Sequence, residues 1–501
     1  MKIPFSSLFK KEYIILYLII FIGAFLRLQG TFTNSFAFTY DVGRDMLELS
    51  NIVYLHKIPL IGATTGLPGV FYGPWWYYML SPFFILFSGD PQGIAFVMGL
   101  IGVLTIVLGY LLGKKIAGNF LGLTFALLIS VSGNLISLSS QIWNPNIAPA
   151  FVILVFLVLY NIYSHDIKHK FRYYFLLGIL LFLNIDLEIV FGLLFLLGTI
   201  LSILIIVNKR LSLKYIASFV LGGLIILSPR IFFEFRHQFL MTKSLIKYAF
   251  SSTSSHASNF LNTIIEKALI LFDQFNSTLA LNNKFLGVVM LIVIVVLLTL
   301  FYKTTKNNVK NILKTSIVIF LVFLAGTVFF SHDIWPHYLV GVPILYIIIF
   351  GICLYLLNEK LLGRKIALLV LLIVGVINFN PISVLQNMTK PIWEGDASVY
   401  RNQLEVVDYI YKNANGRSFK YVVYTPPIYD YTYQYLFKWY GFKKYHYLPS
   451  NQVNLAYFIL EPDMQYSFRL SNWLKNREKD GTILNSQTVK GGIIVQTRKT
   501  Q

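Results

Sequence analysis

Three charged side chains lie close together in the stretch FTYDVGRDM, residues 38–46. Asp41, Arg44 and Asp45 fall within five residues, although only 13% of the chain is charged and 56% is hydrophobic. In a helix that begins at Asp41, the two carboxylates share one face and Arg44 lies beside them. A carboxylate near apolar walls can act as a general base, and a neighbouring Arg can keep it ionised or bind a phosphate. A solvated loop with local charge pairs is the alternative.

The residues after this cluster predict an amphipathic helix that lies along a membrane surface. Its apolar side chains fall broadly on one side, and they are Met46, Leu49, Ile52, Val53 and Leu55. Its polar side chains fall elsewhere, and they are Glu48, Ser50, Asn51 and His56. Such a helix would hold the carboxylates at the height of the bilayer surface.

The composition is too apolar for a soluble enzyme. Aromatic residues make up 16% of the 501 residues, and the mean hydropathy is +0.65, which is typical of a polytopic membrane protein. The net charge of +20 would suggest nucleic acid in a soluble domain, but membrane proteins collect Lys and Arg in cytoplasmic loops. We therefore expect a lipid bilayer and no nucleic acid as partner. The single Cys353 excludes a disulfide framework.

Eleven apolar stretches predict about eleven transmembrane helices, at about 20 residues per crossing. They are 13–28, 93–112, 119–139, 147–163, 172–187, 189–207, 214–234, 285–302, 312–330, 337–357 and 365–379. The first is too long for a signal peptide and has no cleavage site, so we expect it to be retained. A twelfth stretch, 74–88, is short, aromatic and broken by Pro82, and we expect an interfacial or re-entrant helix there.

The basic loops predict the orientation. If 74–88 does not cross, five short basic connections, among them GKKIAGN and NKRLSLK, fall on the side of Lys2, Lys10 and Lys11. Since basic loops favour the cytoplasm, the N-terminus is expected there. The outer loop 29–92 and the C-terminus are then outside a multi-pass protein of the cell membrane.

The last part of the chain has a different pattern. From about residue 380, Asn, Lys, Asp and Tyr replace the Leu, Ile and Val runs. Helix-like pieces such as DASVYRNQLEVVDYIYKNA alternate with strand-like FKYVVYTPP and LAYFILEP, and TILNSQTVKGGIIVQTRK predicts a hairpin. The sequence thus predicts a transmembrane domain over 1–380 and a small extracytoplasmic α/β domain over 381–501.

The order of these features resembles the GT-C class of integral membrane glycosyltransferases. The motifs are YDVGRD in the first outer loop, GPWWYY before a membrane-lying helix, and QIWNPNIAP, PRIFFEFRHQF and HDIWPHYLVGVP at later span ends. The likeness covers about 380 residues. It is to the branch of protein O-mannosyltransferases, the aminoarabinose transferase of lipid A and bacterial dolichyl-phosphate-mannose-type transferases.

The chain departs from the family at two motifs. Val42 follows Asp41 where the family often has Glu, and Tyr72-Gly73-Pro74 stands in place of His-Pro-Pro. The acid pair is then Asp41 with Asp45, and either can be the base.

The resemblance implies an inverting transfer of a monosaccharide from a polyprenyl-phosphate-linked donor to an extracytoplasmic acceptor. That acceptor is a protein, a lipid or a cell-envelope glycan. Asp41 is expected to be the general base, Asp45 its support or replacement, and Arg44 the residue that orients it.

The phosphate leaving group requires cations at the outer membrane surface. Arg230, Arg236 and His237 lie at the outer end of a predicted span, where Arg is otherwise costly. An alternative for Arg230 is an i,i+4 ion pair with Glu234.

Other polar residues extend the expected donor site. His332 and His337, with Asp333 between them, can contact the phosphate, bind a metal or cap helices. Their spacing fits no strong zinc pattern, so we expect no metal site, and a divalent cation is the only cofactor left open. Tyr72 and Asn144 complete the set, although Asn144 also fits a helix cap.

Asp186 and Glu188 in NIDLEIVF are either functional acids at membrane depth or markers of a tight outer turn. Trp75, Trp76, Tyr77 and Tyr78 are most simply an interfacial aromatic belt.

Two other functions use similar features. A transporter or flippase of lipid-linked saccharides predicts paired broken helices and ionisable residues at mid-bilayer. A protein like the O-antigen ligases or polymerases predicts a dominant outer loop, for which 235–284 is the candidate.

Overall fold

Long runs of Leu, Ile, Val and Phe form a helical bundle in the first three quarters of the chain. The computed structural model describes residues 11–164, 170–207, 212–250, 260–303, 305–330, 333–360, 363–379, 396–426 and 428–500. The helices of the bundle are α1 Lys11–Phe32, α2 Tyr40–Leu55, α3 Trp75–Leu86, α4 Pro91–Ala117, α5 Asn119–Val131, α6 Gly133–Ser139, α7 Ala148–Tyr163, α8 Lys170–Leu187, α9 Ile189–Val207, α10 Leu213–Arg236, α11 Leu240–Phe250, α12 Phe260–Leu279, α13 Lys284–Phe301, α14 Asn307–Phe329, α15 Val342–Asn358 and α16 Gly363–Phe379. Two 3-10 turns, Asn144–Ile147 and Pro336–Leu339, precede α7 and α15.

Each of the eleven predicted spans coincides with helical structure. Within the described ranges, eight helices are long and apolar enough to cross a membrane, or nine if the pair α5 and α6, bent by 64°, counts as one span. Of the other two predicted spans, α16 has 17 residues, and α8 carries the charged Lys170, Arg172 and Asp186. The prediction of an all-α polytopic membrane protein is confirmed.

The stretch 74–88 forms a short helix. Helix α3 has 12 residues, so its length of about 18 Å is well below the roughly 30 Å of a bilayer core. The predicted outer loop 235–284 holds helices α11 and α12. Helix α12 packs into the bundle, where the Tyr346 hydroxyl donates to the Leu271 carbonyl oxygen.

A buried arginine lies at the bend of the broken span. Arg27 on α1 is 2% exposed, and its guanidinium donates to the carbonyl oxygens of Ile129 at 2.8 Å and Ser130 at 2.9 Å. These are among the last carbonyls of α5, which lack partners within their own helix. Arg27 therefore caps α5 from a neighbouring helix, a role that the sequence analysis did not predict.

The C-terminal part is a small α/β unit, as predicted. Its helices are α17 Tyr400–Ala414, α18 Tyr431–Leu436, α19 Phe442–Tyr445 and α20 Ser467–Lys475, with a π-helical turn, Phe437–Gly441, after α18. Its strands are β1 Lys420–Tyr424, β2 Leu455–Leu460, β3 Thr482–Thr488 and β4 Ile494–Lys499. The sheet order is β1-β2-β4-β3, with β1 and β2 parallel and the predicted β3–β4 hairpin antiparallel. The predicted boundary at 380/381 lies outside the described residues.

The bundle and the C-terminal unit share one hydrophobic cluster. It contains Val42 and Met46 of α2, Trp76 of α3, Val406 of α17 and Tyr433 of α18. Protein therefore covers helix α2 on its apolar side and also on part of its polar side. Ser50, one of the polar side chains of α2, is buried, and its hydroxyl accepts from Lys438 Nζ at 3.1 Å.

Candidate active site

The charged cluster of the opening stretch lies in the first turns of α2. Thr39 is extended and the helix begins at Tyr40, so Asp41 lies near the free N–H groups that favour a carboxylate. Arg44 bridges both acids, with Nη1 at 2.6 Å from Asp41 Oδ1 and Nη2 at 2.8 Å from Asp45 Oδ1. The predicted helical face is confirmed, and the solvated-loop alternative is wrong.

Asp45 is fully engaged by its neighbours. Its side chain is 2% exposed, and Oδ1 accepts from Arg44 Nε at 3.1 Å and from the Tyr77 hydroxyl at 3.0 Å. Oδ2 accepts from Trp76 Nε1 at 2.9 Å. Trp76 and Tyr77 are buried against α2, so their assignment to an interfacial belt is wrong. The Asp45 carboxylate holds α2 and α3 together.

Asp41 is the accessible acid of the pair. Its side chain is 26% exposed and lines a cavity of about 690 Å³. Burial raises the pKa of Asp41 above its ordinary value, and Arg44 opposes that rise only in part. A carboxylate with a raised pKa that opens into a cavity is suited to accept a proton.

The cavity lies between the bundle and the C-terminal unit. From the bundle it is lined by residues 37–42 at the start of α2 and by Gln141–Trp143 before α7. From the C-terminal unit it is lined by Asp396–Ser398, Gln403, Thr425, Pro426, Tyr429, Thr432, Glu461, Pro462 and Met464. These residues lie more than 340 positions after the end of α2, so the sequence analysis could not connect them to Asp41.

A buried ion pair lies behind α3. Arg230 of α10 is 8% exposed, and its Nη2 lies 3.0 Å from Asp186 Oδ1. Asp186 Oδ2 accepts from the Trp75 backbone N–H at 3.1 Å and so caps the first turn of α3. The alternative pairing of Arg230 with Glu234 is wrong, because Glu234 accepts from the backbone N–H groups at the start of α11.

This arrangement depends on a glycine. A Cβ added at Gly73 would lie 1.5 Å from Asp186 Oδ1, and the Gly73 N–H donates to the Asp186 carbonyl oxygen at 2.9 Å. The departure from the family pattern at Tyr72-Gly73-Pro74 thus leaves room for the carboxylate.

Four further polar residues meet at the junction of α8 and α9. Glu188 is 2% exposed, its Oε2 lies 3.9 Å from His337 Nε2, and the Tyr72 hydroxyl interacts with its carboxylate. The Asn144 amide donates to the Leu187 carbonyl oxygen. Within the described ranges, Asn144 Oδ1 and Glu188 Oε2 are buried without hydrogen-bond partners. Buried acceptors of this kind are available for donors on a ligand.

The cluster around Asp41 and Asp45 lies close to the cluster at the α8–α9 junction. The carboxylates of Glu188 and Asp41 both interact electrostatically with the Tyr72 hydroxyl. Trp143, a wall of the cavity, has its ring centroid 5.0 Å from that of His337. Asp186 and Glu188, which fitted either a turn or a functional role, are both buried beside these groups, Asp186 in an ion pair with Arg230 and Glu188 near His337.

Arg236 and His237 lie at the C-terminal end of α10 and are exposed. The His237 ring stacks on Phe233 at a centroid distance of 4.1 Å. The structure does not bring these two residues into either cluster in the part of the chain that it describes. His332 lies outside the described residues.

Among the residues that the structure covers, no three or more His, Cys, Asp or Glu side chains are grouped so that they could hold a metal ion. The divalent cation of the sequence analysis stays a prediction.

The architecture and the carboxylate site define a class, the multi-pass membrane proteins of the GT-C fold. The fold matches ArnT from Cupriavidus metallidurans over 97% of each chain, with a TM-score of 0.58 for the apo state and 0.53 for the state bound to undecaprenyl phosphate. Sequence identity is 10% and 12%, respectively. An oligosaccharyltransferase from Archaeoglobus fulgidus, in complex with Zn and sulfate, matches 94% of this chain and 71% of its own, with a TM-score of 0.50 and 13% identity.

No family model matches the sequence. No curated protein matches it either. At the identities observed, the structural likeness shows the fold and leaves the activity to be argued from the site.

Proposed function

We propose that this chain is a GT-C glycosyltransferase that moves a monosaccharide from a polyprenyl-phosphate-linked donor to an extracytoplasmic acceptor. The observation that carries the proposal is the partly exposed Asp41 carboxylate, which lines a cavity of about 690 Å³ at one end of a membrane bundle. Arg44 and the fully bonded Asp45 fix its position. A neighbour of the same fold bound to undecaprenyl phosphate supports the lipid-linked donor.

The reaction is a single displacement with inversion. The acceptor oxygen attacks the anomeric carbon, the bond from that carbon to the phosphate oxygen breaks, and the carrier leaves as polyprenyl phosphate. Asp41 takes the proton of the acceptor hydroxyl, which contributes about 10²–10⁴-fold to a rate. Asp45 acts as a positioning residue, since its oxygens are occupied by Arg44, Trp76 and Tyr77.

We assign the donor to the polar groups around the α8–α9 junction, where its phosphate would meet His337. The unpartnered acceptors Asn144 Oδ1 and Glu188 Oε2 would accept from hydroxyls of its sugar. His337, Tyr72 and Asn144 lie within or beside that cluster. Arg230 supplies positive charge nearby, although Asp186 balances much of it. Arg236 and His237 lie further out on the same helix, where they can meet the phosphate of an arriving carrier.

The proposal includes an orientation and a division of the chain. The end that carries α2, α3 and the sheet faces outward from the cell membrane, and the N-terminus is cytoplasmic. Residues 1–380 hold the membrane domain and 381–501 the extracytoplasmic unit. An Asn451→Cys variant should react with an impermeant thiol reagent in intact cells, since Asn451 is exposed and the native Cys353 is buried. Labelling only after lysis would show that the C-terminal unit faces the cytoplasm.

The activity is tested on the full chain in lipid nanodiscs. Radiolabelled hexoses and pentoses linked to polyprenyl phosphate are supplied, and the release of polyprenyl phosphate is measured, with water as the acceptor of the sugar. Wild-type protein should release it, and Asp41→Asn should reduce release by about 100-fold or more without lowering the melting temperature. The matched control is Asp273→Asn, because Asp273 is an exposed acid on α12. Normal turnover by Asp41→Asn would refute the assignment of the base.

One observation favours the transporter alternative. A flippase predicts a pair of broken helices, and within the described residues α5 and α6 form one broken span, with the buried Arg27 at its bend. Movement of intact lipid-linked saccharide across sealed vesicles without cleavage would support that function instead.

A further inference from the structure

Among the described residues that line the cavity beside Asp41, all the charged side chains are acidic. Three carboxylates line it, those of Asp41, Asp396 and Glu461, and the described lining residues include no Lys, Arg or His. Arg44, the nearest cation of α2, lies behind Asp41 and is bound to both acids of its helix. The phosphate-binding groups proposed above, around Glu188 and His337, are not part of the lining.

The deepest acid of the cavity comes from the C-terminal unit. Glu461 follows β2 and is 6% exposed. Its Oε1 accepts from the Tyr433 hydroxyl at 3.0 Å and from Gln403 Nε2 at 3.4 Å. Gln403 is 2% exposed, and its Oε1 has no partner within the described ranges. An unpartnered buried amide oxygen in a cavity wall indicates a place for a ligand donor.

Glu461 is not a strong anion in this setting. Burial raises the pKa of Glu461 to about 7, so the group both donates and accepts hydrogen bonds near neutral pH. Asp396 is engaged by Ser398, whose N–H and hydroxyl each lie 2.8 Å from Asp396 Oδ1. Arg44 pairs with Asp41 and balances its charge. The cavity therefore offers polar contacts but no free anion that would attract a strongly cationic ligand.

Aromatic side chains complete the cavity. Tyr40 of α2 stacks on Tyr429 of the C-terminal unit at a centroid distance of 5.9 Å, and both line the cavity with Trp143. Aromatic faces pack against the C–H faces of sugar rings, and hydroxyls of Thr and amides of Gln match sugar hydroxyls as donors and acceptors. The volume of about 690 Å³ lies in the usual range for small-molecule sites.

We propose that this cavity is the acceptor subsite, that it takes an uncharged sugar of an acceptor glycan, and that Glu461 and Gln403 select it. The inference rests on the proposed transfer reaction, because Asp41 lines the same cavity and would take the proton of the bound hydroxyl. A phosphorylated acceptor is disfavoured, because its charge would be desolvated in a cavity whose described lining has acidic side chains and no cation to pair with it.

The test uses a fluorescent probe at the cavity mouth. Met464 lines the cavity and is 93% exposed, so Met464→Cys can carry an environment-sensitive label while the native Cys353 stays buried. Neutral trisaccharides of hexoses, pentoses and N-acetylhexosamines are titrated, with glucose 6-phosphate as the charged probe. We expect a saturable signal with at least one neutral sugar and binding of glucose 6-phosphate that is weaker by 10-fold or more.

Variants and a matched label position make the result specific. Glu461→Gln keeps the side-chain shape and should weaken sugar binding several-fold, and Glu461→Ala by 10-fold or more. Gln141→Ala removes an exposed lining residue without disturbing the core and should weaken binding several-fold. The label on Leu484→Cys, which is 60% exposed on β3 and outside the cavity, should not respond. Equal binding of glucose 6-phosphate, no response to any neutral sugar, or unchanged binding by these three variants would overturn the inference.

A second measurement separates this inference from the proposed function. The melting temperature of the same protein is recorded with undecaprenyl phosphate. Stabilisation by the carrier without any sugar response would leave the transferase proposal in place and remove the acceptor subsite. A sugar response without stabilisation by the carrier would keep a neutral-sugar site in the cavity and count against the lipid-linked donor of the proposed function.

Discussion

At the scale of the residue, Asp41 and Asp45 differ in what surrounds their oxygens. Asp45 accepts hydrogen bonds from Arg44, Trp76 and Tyr77, whereas Asp41 keeps access to the cavity. Asp45→Asn should therefore lower the free energy of unfolding by about 2–3 kcal/mol, because Arg44 loses its buried partner. Asp41→Asn should leave it almost unchanged. Thermal unfolding of both variants checks this, and equal melting temperatures would contradict it.

With Asp41 as the proposed base, we expect Arg44 to set the acidic limb of the pH–rate profile. Burial raises the pKa of Asp41 and Arg44 opposes this rise, so the base form is lost as pH falls through the raised pKa. Arg44→Gln removes the opposition, so the acidic limb should move to higher pH, and Arg44→Lys should move it less. Single-turnover rates between acidic and neutral pH measure the shift. A limb that moves to lower pH in Arg44→Gln would show that Asp41 is not the titrating group.

The sequence predicted that both acids belong to the site, but it did not predict which of them is buried and which is accessible. The i,i+4 spacing predicted that Asp41 and Asp45 share a face, which the structure confirms. Burial could not be predicted, because it depends on Trp76 and Tyr77 from another helix and on the C-terminal unit. No local sequence pattern marked Glu461 or Gln403 as site residues. An acid after a strand is common, and only the fold places Glu461 in a cavity.

At the scale of the element, the start of α3 depends on the space that Gly73 leaves for Asp186. Gly73→Ala would place a methyl group on the carboxylate that caps α3 and pairs with Arg230. We expect a loss of about 1–3 kcal/mol of stability, as for other overpacked sites, together with reduced transfer. The control in the same loop is Gly66→Ala, because a Cβ at Gly66 meets no atom within 4 Å. Similar melting temperatures for the two variants would refute this dependence.

Helices and strands were predicted well because their patterns are local. Apolar runs predicted the spans, and alternation predicted the β3–β4 hairpin. The sequence analysis missed the break in the span over 119–139, although the Ser132-Gly133 pair at the bend is of a kind that often kinks a helix. The bend is stabilised by Arg27 from a helix about 100 positions earlier.

At the scale of the whole molecule, the predicted division at 380/381 separates parts that share a core. Buried side chains of α2 and α3 pack with those of α17, α18 and β2. The Tyr435 hydroxyl donates to the Gly89 carbonyl oxygen, and Trp439 Nε1 donates to the Ser88 carbonyl oxygen at 2.7 Å. The cavity beside Asp41 lies in this interface, so the position of the C-terminal unit determines its shape.

Gly43 permits this close approach. A Cβ at Gly43 would lie 2.4 Å from the Thr432 backbone nitrogen and 2.6 Å from the Tyr431 carbonyl carbon, and backbone atoms cannot yield as a flexible side chain does. Gly43→Ala should therefore push α18 away from α2, although alanine favours a helix more than glycine does. The expected results are faster protease release of the C-terminal unit, weaker sugar binding in the cavity and slower transfer. Gly30→Ala is the control, because its Cβ would meet its nearest atom at 3.7 Å and should only stabilise α1. If Gly43→Ala resists protease like the wild type while transfer stays normal, the two parts work independently and the cavity between them is not the acceptor subsite.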